Sequence, residues 1–107
     1  MEVEFGSFRA VVVKPEDIES ERTAPLVLLH GIGLGAWCWE RTQQVMLENG
    51  IPTIAIDVPY EALTDSASVD TLVEELVASV RTIEGVSLLG HSAGALLARR
   101  GAAHIEL

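Results

Sequence analysis

Val86-Ser87-Leu88-Leu89-Gly90-His91-Ser92-Ala93-Gly94 is the stretch whose reading decides the fold, and an alanine- and leucine-rich run over 95–103 follows it. Residues 86–89 read as an apolar strand. Residues 95–103 are strong helix formers. Between the two, Gly90 to Gly94 matches G-x-S-x-G, the sharp strand-to-helix turn that lifts a serine hydroxyl above a sheet. Gly90 and Gly94 flank a serine in an unfavourable backbone conformation, where side chains would collide with neighbouring strand and helix. So short a motif arises by accident in roughly 3% of chains of this length. The flanking strand and helix therefore carry the assignment. The competing readings of Ser92 are an ordinary glycine-rich turn or a phosphate-binding loop, but neither G-x-G-x-x-G nor G-x-x-x-x-G-K-[ST] occurs at this turn.

Working outward, Leu26-Val27-Leu28-Leu29 is a continuous apolar run, which suits a strand covered on both faces as in a parallel sheet, and it runs into His30-Gly31-Ile32-Gly33-Leu34-Gly35. In an open parallel sheet the productive crevice lies beyond the carboxyl ends of the strands, so this loop and the serine turn face one cleft. Acyl transfer needs backbone N–H groups aimed at a developing oxyanion, and glycines allow that approach. Ile32 N–H, with Gly33 as a neighbouring candidate, would pair with Ala93 N–H. A plain connection or a phosphate grip is the alternative for this loop.

The remaining chain fits the same architecture. Residues 3–13 form a hairpin around Gly6-Ser7, and the charged stretch 14–25 is a solvated connection. A helix over 36–49 stops at Asn49-Gly50, and a strand over 51–56 ends at Asp57. A second helix is expected over about 69–83, with Thr71 and Glu74 as its capping box and Leu72, Val73, Leu76, Val77 and Val80 as its apolar stripe. The fold class is α/β: a hairpin, then β-α-β-α-β-α over about 26–103, with crossover connections that make the sheet mostly parallel and flanked by helices.

The chain has 107 residues, 49% hydrophobic, enough for one domain over 1–107 with a packed core. Its net charge of −9 repels phosphate backbones and anionic lipid, which argues against nucleic-acid or membrane partners. The single cysteine, Cys38, forms no intrachain disulfide, and no basic leader or membrane-length apolar run occurs. A cytoplasmic location follows as the expectation. His30, His91 and His104 lack metal-ligand spacing, so neither metal nor cofactor is expected.

In their order, the strand, H-G-x-G-x-G, helix, strand ending in Asp57, helix, strand and G-H-S-A-G resemble the N-terminal part of the α/β-hydrolase fold over essentially the whole chain. Gly35-Ala36-Trp37-Cys38-Trp39 after His30-Gly31 further resembles the methylesterase and hydroxynitrile-lyase branch, although Ala95 stands where that branch often has glycine. The resemblance implies a serine hydrolase of carboxylic ester or related acyl bonds, acting through an acyl-serine intermediate. Ser92 would be the nucleophile and Ile32, Gly33 and Ala93 the oxyanion hole. His30, Gly31, Gly90, His91 and Gly94 would support the two loops, with His91 packed behind the nucleophile. The partner would be a small ester or acyl substrate.

The family's triad runs Ser, acid, His, with the last two far downstream of the serine. Here only His104 and Glu106 follow, in reversed order, and His104 lies about 18 Å of helical rise from Ser92. A general base must approach to about 3 Å. The expectation is therefore an incomplete α/β-hydrolase domain, truncated before its acid and base and nearly inactive alone. Asp57 would fix a loop or an N-terminus, Trp37 and Trp39 would pack or line the cleft, and Cys38 would be inert. Two alternatives remain. One is a non-catalytic remnant or interaction module that self-associates through the exposed edge of strand 86–89; the other is an acyltransferase or lyase on the same scaffold.

Overall fold

A computed structural model of the chain describes residues 1–15 and 24–105. Strands β1 (Glu2–Phe5) and β2 (Phe8–Val13) form the hairpin. They are followed by β3 (Leu26–Leu29), α1 (Glu40–Glu48), β4 (Thr53–Ile56), α2 (Ser66–Val80), β5 (Ser87–Gly90) and α3 (Ala93–Ile105). The sheet order is β1-β2-β4-β3-β5. The β3, β4 and β5 strands run parallel, and β2 joins β4 antiparallel, so the sheet is mixed, with the parallel part carrying the crossovers. Most of the connection over 14–25 lies outside the described residues.

Alternation along the strands divides the core. Ala10, Val27, Leu29, Ile54 and Ile56 point to the face covered by α2 and α3, where they meet Leu72, Leu76, Val77, Val80 and Leu97. Leu28 and Ala55 point to the other face, against Ala36 and Trp39. The central strands β3 and β4 are buried nearly throughout, as continuous apolar runs require. By contrast β5, equally apolar, alternates exposed and half-buried because it ends the sheet. Leu89 is 42% exposed there. A buried Gln43 ties α1 to the sheet, donating to the Val11 carbonyl (3.0 Å) and to Thr53 Oγ1 (3.1 Å).

Strand β4 begins at Thr53 rather than 51, β5 runs Ser87–Gly90 rather than 86–89 and α3 runs Ala93–Ile105 rather than 95–103; the differences at α1 and α2 have identifiable contacts. Residues 36–49 divide into a 3-10 turn, Ala36–Trp39, and α1. In the turn the Cys38 N–H bonds the Gly35 carbonyl (3.0 Å) and the Glu40 N–H that of Trp37, and Asp57 Oδ1 accepts the Ala36 N–H at 2.7 Å, which anchors the turn to the end of β4. Helix α2 begins at Ser66 rather than near 69, and Asp65 is its cap. Its carboxylate accepts the Ser68 N–H (2.8 Å), while Ser68 Oγ accepts the Asp65 N–H (3.1 Å). Thr71 is already inside the helix, its hydroxyl donating to the Ala67 carbonyl (3.0 Å). The end of α2 at Val80 also precedes the expected 83.

The two capping assignments separate in solution. Asp65→Ala is expected to lower stability by about 1 kcal/mol in urea unfolding, and Thr71→Ala by less than about 0.5 kcal/mol. The reverse ranking would show that the cap is misassigned.

Candidate active site

At the end of β5 the chain reverses into α3 through Ser92, whose φ of 59° is the sole positive value of a non-glycine among the described residues. An L-residue there costs about 1–2 kcal/mol. Surrounding hydrogen bonds hold it: His91 N–H to the Leu29 carbonyl (3.0 Å), Gly94 N–H to the His91 carbonyl (3.0 Å) and Ala95 N–H to the Ser92 carbonyl (2.9 Å). The two glycines of the turn are required by contact rather than by φ. A Cβ on Gly94 would overlap the Leu29 carbonyl oxygen and stand 2.8 Å from that of His30, and one on Gly90 would overlap the Gly94 carbonyl.

The glycine loop after β3 meets this turn. A Cβ on Gly31 would lie 3.3 Å from Ser92 Cβ and 3.3 Å from the His91 carbonyl oxygen. Gly33, with φ 85° and nothing within 4 Å, is instead needed for its conformation. The expected site residues Gly31, His91, Ser92 and Gly94 thus converge, with Ile32 and Ala93 adjoining them in the chain. Ser92 is exposed, and Ile32 is 72% exposed. His91 is exposed rather than packed behind the turn; its backbone makes the anchoring bonds, and its Nδ1 would lie 3.4 Å from a Cβ on Gly31.

The glycine loop rests on a brace from the far side. His30 is 1% exposed, with Nε2 accepting the Val58 N–H (2.8 Å) and Nδ1 within 2.8 Å of the Gly31 carbonyl oxygen. Tyr60, in the 3-10 turn Tyr60–Ala62, donates its hydroxyl to the His30 carbonyl and stands edge-on to the imidazole at 5.3 Å. His30, Leu34, Asp57 and Val58 also wall a cavity of ≈ 380 Å³ that includes Arg9 and Glu61.

Among the described residues no histidine ring hydrogen-bonds Ser92. His104 falls in the last turn of α3, and its side chain lies outside the described residues, as does Glu106. Burial pushes the Cys38 thiol above its ordinary value, which opposes a nucleophilic role. Trp39 packs under the sheet, whereas Trp37 is 67% exposed. No three His, Cys, Asp or Glu side chains among the described residues converge as metal ligands do. None of the described helices is long and apolar enough to cross a membrane.

A model of the family described as "Alpha/beta hydrolase family" matches residues 26–106, a span containing both loops. The chain belongs to the alpha/beta hydrolase family. Its sequence is 39% identical over 88 residues to "Putative methylesterase 12, chloroplastic" of Arabidopsis thaliana, covering 75% of this chain and 25% of that protein. It is 33% identical over 87 residues to norfluorocurarine synthase 1 of Strychnos nux-vomica, covering 74% and 33%. Among solved structures it superposes on MGS-MChE2, an alpha/beta hydrolase enzyme from the metagenome of lagoon sediments at Mar Chica, Morocco. The TM-score is 0.77 and the identity 24%, over 99% of this chain and 47% of that one. An epoxide hydrolase from Bacillus megaterium shares the fold, with a TM-score of 0.71 and 17% identity over 99% and 38% of the two chains. This alpha/beta hydrolase chain spans about a quarter to a third of the length of the curated relatives it matches.

Tyr60 and the Val58 amide are site elements that sequence reading missed. Both act on His30 from 28 to 30 residues away, and no local periodicity marks them. Burial raises the Tyr60 phenol to about 12. Folding therefore favours the protonated phenol, and that contribution is whole below about pH 10 and lost as pH rises through about 12. Tyr60 is the chain's one tyrosine, so phenolate absorbance reads it directly. The folded alpha/beta hydrolase chain should titrate near 12 and the urea-unfolded chain near about 10; equal midpoints would contradict the half-buried position of the hydroxyl.

Proposed function

We propose that the chain carries the nucleophile half of a serine hydrolase site acting on carboxylic ester or related acyl bonds. The observation that carries this reading is the contact between the two loops: Ser92, at φ 59° in a G-x-S-x-G turn, abuts Gly31 of the glycine loop. In the proposed step Ser92 Oγ attacks the acyl carbon, its proton passing to a base, and the Ile32 and Ala93 N–H groups, with Gly33 adjacent, receive the oxyanion. Loss of the alcohol leaves an acyl-serine, which water hydrolyses. The methylesterase names of the relatives are consistent with an ester substrate. A serine hydroxyl without a base is almost wholly protonated at neutral pH and reacts slowly. Slow reaction of this chain by itself is therefore part of the proposal.

A fluorophosphonate probe with mass-spectrometric mapping tests it. Ser92 should label slowly but faster than the exposed Ser66, and Ser92→Ala should abolish that label. Labelling no faster than Ser66 would sink the site, and rapid complete labelling would sink the slow reaction.

A second reading, self-association through β5, is favoured by its place at the sheet edge and by the exposure of Leu89. Sedimentation should then give a defined dimer that Leu89→Lys dissociates; a stable monomer would exclude it.

A further inference from the structure

Three contacts set the peptide planes around Gly31. Because the Val58 N–H can only donate, His30 Nε2 is its acceptor and Nδ1 carries the ring hydrogen. Nδ1 therefore donates to the Gly31 carbonyl at 2.8 Å, and that oxygen also accepts the Leu34 N–H at 3.2 Å. The Tyr60 hydroxyl donates to the preceding carbonyl, that of His30. A trans peptide is planar, with its C=O and N–H opposed, and no cis bond occurs among the described residues. Holding these two carbonyls therefore fixes where the Gly31 and Ile32 N–H groups point.

We propose that Tyr60 is a positioning residue for the oxyanion loop: its hydroxyl holds the His30 carbonyl while the His30 ring holds the next one, and together they aim the Ile32 N–H. The inference rests on Ile32 being an oxyanion donor. Tyr60 suits the task because its own backbone is anchored, its N–H to the Val58 carbonyl (2.9 Å) and its carbonyl to the Leu63 N–H (3.0 Å). Its ring packs against the main core. The short segment 58–60 thus supplies both the Val58 N–H that selects the His30 tautomer and the hydroxyl that holds the His30 carbonyl. A phenylalanine would fill the space and leave that carbonyl without this donor.

The test compares the full chain with Tyr60→Phe. By proton–nitrogen NMR the Gly31 and Ile32 amides should shift and exchange about 10-fold faster with solvent, while the β4 and α2 amides keep their exchange rates. Fluorophosphonate kinetics at alkaline pH, where hydroxide stands in for a general base, should show the maximal labelling rate of Ser92 about 10-fold lower at unchanged half-saturation. That is less than the roughly 10²- to 10³-fold loss on deleting a donor. Unmoved loop amides would overturn the proposal, whatever the labelling. Responding amides with no Ser92 labelling in either protein would leave the brace standing and remove the serine-hydrolase reading. Should Tyr60→Phe fail to fold, biosynthetic 3-fluorotyrosine places a more acidic phenol at position 60 alone, since tyrosine occurs once. The loop amides should then follow that phenol's titration, with the unsubstituted chain as control, and their failure to move would overturn the proposal.

Discussion

The approach of Gly94 to the Leu29 carbonyl is the constraint on which the rest of the structure depends. The first turn of α3 is pressed against the end of β3 with no room for a Cβ between them. That contact fixes where the helix starts, and the strand-to-helix reversal must then be completed at Ser92 in a left-handed conformation. The cost of that conformation is sustained by three neighbouring amides, that of His91 bonded to β3 and those of Gly94 and Ala95 bonded within the turn. The same contact brings the His30 carbonyl against α3, so the serine turn and the glycine loop share one boundary.

Packing across the sheet is lopsided. The face under α2 and α3 holds most of the buried apolar residues, while the face under α1 holds Leu28, Ala36 and Ala55. At β5 the lopsidedness meets the sheet edge. Leu88 packs against the main core, and Leu89, one residue on, is left 42% exposed. Strand chemistry alone would place both in a core. What differs is the neighbour: β3 has β4 and β5 on its two sides, whereas β5 has β3 alone.

Much of the architecture was legible locally. The continuous runs of β3 and β4 announce burial on both faces, and glycine spacing announces both loops. Local rules also compete. Thr71 with Glu74 satisfies the capping-box pattern, yet Asp65 with Ser68 forms the cap, because the extended backbone of Asp65 (φ −158°) lets its carboxylate reach the Ser68 N–H. The Asp57 expectation was general, a loop or an N-terminus. The structure specifies it as the Ala36 N–H, 21 residues away. That one bond anchors the 3-10 turn that precedes α1 to the end of β4.

The sequence by itself determined what depends on neighbouring residues: the alternation of strands and helices, the G-x-S-x-G turn with its obligatory glycines, and the glycine loop after β3. Periodicity and backbone sterics act over a few residues, so a few residues suffice to read them. Only the tertiary structure decided which peptide groups brace that loop, since the Val58 amide and the Tyr60 hydroxyl reach His30 across 28 to 30 residues of chain. It also decided that His91 is exposed, whereas the exposed edge at 86–89 was already expected, with Leu89 42% exposed there. Each of these is set by what stands opposite in space, and a hydrogen bond or a covered face belongs to the pair, not to either segment.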